Sequence, residues 1–188
     1  VGNNGSGKTN LLDAIHYLSF TKSFFNKQDS MNVMYNQPFM TIEGVFEKDD
    51  NKELVQCAVK IGVKKVVKRN KKKYDKLAEH IGLFPLVMVS PYDNDIIYGG
   101  SIFRRNLMDG IIGQTDKKFL IDLISYKRIL EQRNALLKIN YKKSKIDTGV
   151  LDIYDEKLID LGNTIYEKRR LFVEIYKKIF KSYYLLIS

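Results

Sequence analysis

Apolar residues along this chain change spacing several times, and each change marks an element. Leu11, Leu12, Ile15 and Leu18 recur three and four residues apart, which predicts a helix over residues 10–20. Residues 21–38 are polar and broken, and read as a loop. The period then drops to two. Phe39 to Glu47 alternates as a strand, Asp49-Asp50-Asn51 is a turn, and Leu54 to Val63 is a second strand. Lys64 to Lys68 begins a third, with Val66 and Val67 its apolar part. Arg69-Asn70-Lys71 reads as a tight hairpin turn, so the strands form an antiparallel meander. Tyr74 to Ile81 reads as a short helix. Leu83 to Val89 is a continuous apolar run, the pattern of a strand covered on both faces. Gly99-Gly100-Ser101 breaks the chain, and a helix follows over residues 102–112 with Ser101 as its N-cap.

From Asp116 the texture changes. Phe119, Leu123, Tyr126, Leu130 and Leu137 lie at three, four and seven spacings. Asn140 to Thr148 is a basic, polar loop. Leu151, Tyr154, Leu158, Leu161, Ile165, Phe172, Ile175, Ile179 and Leu186 then keep a heptad register, interrupted by Lys168 and Ser182. Two long helices joined by a short loop predict an antiparallel hairpin. The reading is an α/β head over residues 1–113, with a mixed sheet that includes the meander, carrying an α-helical arm over residues 114–188. Two ordinary core helices are the plainer alternative for the arm.

Composition narrows this picture. Of 188 residues, 44% are hydrophobic and 12% aromatic, enough for a sizeable core. The formal net charge of +10 points to a polyanionic partner, nucleic acid first and acidic lipid second. A lysine-rich proteome would give the same excess. One cysteine, Cys57, excludes an intrachain disulfide and reads as a buried packing residue. A reducing cytoplasm fits. No apolar stretch approaches the ~20 residues of a membrane span.

The chemistry is concentrated at the start. Gly2-Asn3-Asn4-Gly5-Ser6-Gly7-Lys8-Thr9 is a complete G-x-x-x-x-G-K-[ST] loop. Such spacing arises by chance in about one chain in a hundred of this length. Glycines let the backbone approach phosphate oxygens closely, and successive N–H groups form an anion nest. Lys8 is placed to reach the β- and γ-phosphates and the Thr9 hydroxyl to ligate Mg²⁺. A nucleoside triphosphate with Mg²⁺ is the expected ligand. A glycine-rich turn that only caps a helix is the bland alternative. Such a loop follows a buried strand. Only Val1 stands before it, and Ser188 ends inside an apolar helical run, so more chain is expected on both sides.

These features together resemble the RecF family of bacterial recombination-mediator ATPases, related to the heads of SMC proteins. Gly2 to Asn10 followed by Leu-Leu-Asp-Ala-Ile is similar to that family's loop and first helix. Thr21-Lys22-Ser23 stands at a short Ser-containing turn. Residues 76–85, running into Val87-Met-Val-Ser-Pro91 and Asp93, resemble the segment that leads to its Ser-Pro-x-Asp turn. Gly100-Ser101-x-x-Arg104-Arg105-x-Leu107-Met108-Asp109 resembles its Gly-Ser-x-x-Arg-Arg…Leu-Asp helix start. The resemblance implies an ABC/SMC-like ATPase head that binds ATP and Mg²⁺ and forms an ATP-dependent homodimer. It implies a clamp on DNA at single-strand/double-strand junctions, with RecO and RecR as partners, in the repair and replication of gapped DNA. It further implies a cytoplasmic, nucleoid-associated protein without a membrane anchor. The family's signature motif, Walker B carboxylates and switch histidine lie beyond residue 188. No catalytic residue is therefore assigned in this stretch, which is expected to show no turnover by itself. Asn70-Lys71 stands where the family's hairpin usually carries Asn-Gly, which is expected to tilt the turn.

Several further residues have two readings. Lys64, Lys65, Lys68, Arg69, Lys71, Lys72 and Lys73 are a basic run that could touch DNA phosphates, or be a solvated hairpin. Arg104 and Arg105 open a helix; one could face phosphate or DNA, and the other pair with Asp109 or Asp93. Ser90 and Asp93 stand where related ATPases carry a Gln loop, but no Gln is present. Two histidines and one cysteine support no zinc site. Tyr183 and Tyr184 could stack on bases, though burial is the first expectation. Two other functions compete with the clamp: an SMC-like ATPase with a downstream nuclease domain, and a nucleotide-holding scaffold whose arm docks a protein partner.

Overall fold

The computed structural model describes residues 2–143 and 148–187. The chain divides into two compact units, Val1–Pro91 and Tyr92–Ser188. No helix among the described residues is long and apolar enough to cross a membrane.

The first unit packs one helix on one sheet. Helix α1 (Lys8–Phe20) begins as the spacing predicts, but its apolar positions do not share one fate. His16, Tyr17, Leu18 and Ser19 are buried, whereas Leu11, Leu12 and Ile15 are exposed. Strands β1 (Phe39–Lys48), β2 (Asn51–Lys60), β3 (Val66–Arg69) and β4 (Lys72–Lys73) form an antiparallel sheet in the order β1-β2-β3-β4. The expected second strand thus ends three residues early, leaving Lys64 and Lys65 in the connection to β3. Inward positions alternate along β1 and β2. Val55, Cys57 and Val59 meet Val67, Leu18, Tyr17 and Phe84 in the core, with Met40, Ile42 and Phe46 beside them.

Two-residue turns close two of the three hairpins, β1–β2 and β3–β4. Lys48 pairs with Asn51 across Asp49-Asp50 (φ 50° and 60°). Arg69 pairs with Lys72 across Asn70-Lys71 (φ 50° and 69°). Two successive left-handed residues are the hairpin geometry that matches strand twist. Lys71 therefore adopts a conformation that favours glycine, and the expected tilt of this turn is replaced by a regular two-residue loop.

Two expectations for the end of this unit fail. Residues 74–81 form no regular helix; a single 3₁₀ turn, Leu77–Glu79, precedes His80, which is fully buried. One His80 ring nitrogen lies 2.6 Å from the Leu18 carbonyl and the other 3.2 Å from the Tyr74 hydroxyl. These contacts and the left-handed Gly82 turn the chain inward. The apolar run at residues 83–89 is not a strand. Strands need hydrogen-bonding neighbours, and no described strand pairs with it. Phe84 enters the core and Leu83 packs against it, while Val87 and Val89 are exposed.

The second unit is helical. Short helix α2 (Asn94–Tyr98) precedes α3 (Ser101–Thr115), α4 (Lys117–Lys143) and α5 (Thr148–Tyr184). Ser101 is the first residue of α3 and not its cap. The N-cap is Gly100, with no side-chain bond, and Ser101 Oγ instead accepts a bond from Arg105. Asp116 caps α4 through Phe119 N–H at 2.9 Å. Helices α4 and α5 run antiparallel: Arg133 meets Asp155 while Asp116 meets Lys168. Ile112, Phe119, Leu123 and Ile165 are the core, joined by Met108, Tyr126 and Phe172. Asp109 of α3 takes a bidentate pair from Arg169 of α5 at 2.8 Å twice, so α3 belongs to the helical unit. The expected loop at Asn140–Thr148 is shorter than predicted: residues 140–143 continue α4 and Thr148 begins α5, while residues 144–147 lie outside the described residues.

The heptad stripe does not stay buried. Ile175, Ile179 and Leu186 are exposed, as are Tyr183 and Tyr184, contrary to their expected burial. Phe172, Tyr176, Phe180 and Tyr184 stack one turn apart, with ring centroids 5.8–5.9 Å apart.

Gly44 lets α1 approach β1, because a Cβ there would lie 2.7 Å from Leu18 Cδ1. Gly44→Val is expected to cost about 1–3 kcal/mol, as overpacking does, read as a lower urea midpoint at an unchanged slope.

Candidate phosphate-binding site

The loop before α1 has the backbone that its composition predicts. Gly5 and Gly7 hold φ of 82° and 84°, values an L side chain rarely tolerates. Ser6 N–H turns back to Asn3 O at 3.3 Å. The first bond of the helical ladder runs from Leu11 N–H to Gly7 O at 3.0 Å. The amides of Lys8, Thr9 and Asn10 therefore precede the ladder and carry the positive end of the helix dipole. Residues 2–12 are exposed, so this end faces solvent. Lys8 Nζ folds back onto the loop and donates to Gly2 O at 2.6 Å and Asn3 O at 2.8 Å. Both acceptors are neutral carbonyls, which an anionic oxygen outcompetes for an ammonium. Thr9 lies in the first helical turn and is exposed. These groups fit a triphosphate and its magnesium ion: amides and an ammonium for the phosphates, an alcohol for the metal.

The basic run separates into two groups. Lys65 is not available to a polyanion: its ammonium bonds Thr21 O at 2.5 Å and the Asp29 carboxylate at 2.9 Å, and sits 5.3 Å from the Tyr17 ring centroid. Arg69 is likewise engaged, in a two-pronged pair with Glu53 at 2.8 and 2.5 Å. Both lie beside the inward face, whereas Lys64, Lys68, Lys71, Lys72 and Lys73 are exposed. Lys68 faces Lys73 directly across β3 and β4. Like charges opposite each other destabilise a sheet, so this pair concentrates positive potential at some cost to the hairpin.

Comparison with known proteins decides the family. The DNA replication and repair protein RecF of Flavobacterium johnsoniae is 45% identical over 188 residues, all of this chain and 52% of its own. The protein so described from Parabacteroides distasonis is 48% identical over 183 residues, 97% of this chain and 49% of its own. The chain belongs to the RecF family. It spans about half the length of the curated relatives it matches. A solved structure of the recombination mediator protein RecF with ATP, of the RecFOR pathway, superposes with a TM-score of 0.84. That match has 34% identity over 91% of this chain and 46% of that one. A second, RecF-ATPrS, gives 0.83 at 34% identity over 92% of this chain and 47% of that one. No protein-family model matches the chain.

In this RecF-family chain the arginine-rich helix start is locally bonded. Arg104 donates to the carbonyls of Ile96 and Gly99 at 3.0 and 3.1 Å, and Arg105 to Ser101 Oγ at 2.7 Å. Of the two carboxylates expected to pair with one of them, Asp109 or Asp93, Asp109 is held by Arg169 instead. Asp109 lies one helical turn from Arg105, but it is buried beside α5 while the arginines are exposed. Ser90 ends the apolar segment, and Asp93 closes a 3₁₀ turn, Pro91–Asp93.

Residue types alone did not reveal the network behind the phosphate loop. Asp13 of α1 accepts from Ser23 Oγ and from Phe24 N–H, each at 2.7 Å. His16 is buried one turn on, with its Nδ1 3.0 Å from Lys22 O and its ring stacked on Phe20. Burial pushes the His16 pKa down. Burial and the bond to Asp29 push the Tyr17 hydroxyl up. The only signal available in the sequence is Ser23, in the turn three residues beyond the predicted end of α1.

Glu53 is held at a pKa of about 2, chiefly by the Arg69 bonds and also by Asn70, against partial burial. Its folded value is depressed. The stabilisation is therefore complete above the ordinary value of ~4.3 and is lost as pH falls through about 2. The stability gap between wild type and Glu53→Gln, measured by urea unfolding, is expected to be widest near neutrality and to narrow across that window.

Proposed function

We propose that this protein binds ATP with Mg²⁺ at Gly2–Thr9 and acts as an ATP-dependent, DNA-binding recombination mediator in the repair and replication of gapped DNA. The observation that carries the reading is the pair of left-handed glycines with Lys8 at the exposed head of α1. The names of the relatives and the RecF-ATP and RecF-ATPrS structures support it. Gly2, Asn3, Asn4, Gly5, Ser6 and Gly7 present backbone amides, Lys8 releases two carbonyls to face phosphate, and Thr9 supplies the metal's hydroxyl ligand. Bound magnesium would neutralise phosphate charge and leave the chain's donors to fix orientation.

DNA is engaged through the sugar–phosphate backbone, as the exposed lysines 64, 68, 71, 72 and 73 carry charge without a groove-shaped reader. Single-strand/double-strand junctions are the proposed structure, with RecO and RecR as partners. ATP favours pairing of two copies because a ligand shared by two subunits binds the paired state more tightly. Arg104 and Arg105 are kept as further DNA-contact candidates, since their bonds to carbonyls and a hydroxyl leave their charge uncompensated.

Two experiments test this. Lys8→Ala in the intact protein is expected to abolish binding of an ATP analogue by calorimetry, and retained affinity would place the site elsewhere. Replacing Lys71, Lys72 and Lys73 with Glu is expected to weaken DNA binding. It should also lower the slope of log affinity against log salt by about one for each lysine that contacts phosphate. Binding unchanged across salt would remove the hairpin from the interface.

A further inference from the structure

The phosphate loop and the basic hairpin are joined by a continuous polar strap. Helix α1 starts at the loop, and Asp13 lies five residues after Lys8, about 7.5 Å along the axis. Beyond α1 the chain turns at the left-handed Thr21 and doubles back, so that Ser23 and Phe24 reach both oxygens of Asp13. Ser23 Oγ then accepts from Phe25 N–H at 3.1 Å and Asn26 N–H at 2.9 Å. One donor and two acceptor sites exhaust a serine hydroxyl, so this hub is fully engaged.

The same returning segment is fastened at its far end. Asp29 accepts from Tyr17 at 2.5 Å and pairs with Lys65 at 2.9 Å. Lys65 also holds Thr21 O and stands one residue before β3. β3 in turn leads through Asn70-Lys71 to the exposed lysines. Asp13 in the first half of α1 is thus connected, by bonded side chains and the main chain of residues 21–29 between them, to the strand that presents the basic turn. Helix termination does not require this, because Thr21 already ends α1 and Asp13 lies two turns upstream.

We infer that Asp13, Ser23, Asp29 and Lys65 are positioning residues whose strap couples occupancy of the phosphate loop to the binding of polyanion at the β3–β4 hairpin. This rests on the nucleotide and DNA reading proposed above. Coupling of this kind is reciprocal: each ligand tightens the other by one common factor. It requires a strap with two arrangements whose balance both ligands bias.

The test measures that factor in the intact protein. Affinity for Mg²⁺·ATPγS is measured with and without a saturating duplex bearing a single-stranded tail, and DNA affinity with and without nucleotide. Wild type is expected to give the same factor both ways, about fivefold or more. Asp13→Asn and Lys65→Met, at opposite ends of the strap, are each expected to bring the factor near one. Their separate affinities should stay within about threefold of wild type. Asp29→Asn stands in for either variant that fails to fold. Lys71→Glu, outside the strap, should weaken DNA binding and leave the factor intact. A folded Asp13→Asn and Lys65→Met that keep the wild-type factor would overturn the inference. So would variants that lose both affinities together at a constant factor, the mark of a purely structural role. Wild type that binds both ligands with a factor of one overturns the strap and leaves the functional reading standing. Wild type that binds no nucleotide overturns that reading and the strap with it.

Discussion

The packing of α1 onto the sheet governs everything at the phosphate loop. Its second half lies against Gly44 and the core, with the Leu18 carbonyl near His80 and Ser19 Oγ bonded to Phe84 O. Its first half projects with Leu11, Leu12 and Ile15 exposed. A helix held at one end and open at the other presents its unpaired amides as a fixed array, and such an array needs no reorganisation when an anion arrives. Lys8 is the mobile member, parked on two carbonyls of the loop itself.

Much of this was legible in the residues. The loop's spacing marked a glycine-rich turn ahead of α1, and alternation marked Cys57 as a buried packing residue. The change of texture read at Asp116 falls at the start of α4, which Asp116 caps. The failures share a cause: each needed knowledge of what lies nearby in space. The apolar run at 83–89 reads as a buried strand in isolation, yet a strand is defined by neighbours that the described residues do not supply. The Tyr74–Ile81 helix failed because His80 takes its bonds from α1 and Tyr74, contacts that local propensity does not encode.

The basic run shows the limit of charge as a signal. Seven cations in ten residues look equivalent as text. Strand alternation and two carboxylates, Glu53 and Asp29, divide them into structural and solvent-facing sets. Neither partner is close in sequence to the residue it neutralises, so no window-based reading pairs them. The same holds for Asp109 and Arg169, which are sixty positions apart and fasten α3 to α5.

Cys57 lies at the centre of β2 and is 2% exposed. Burial first of all holds its thiol at a pKa of about 11. Reactivity belongs to the thiolate, so the folded sheet withholds this sulfur on two counts, access and ionisation. The molecule therefore contains its own clock for sheet opening: the pace at which a maleimide marks this thiol, that of the one cysteine in the sequence, reports how often the strands part, with no cysteine engineered in.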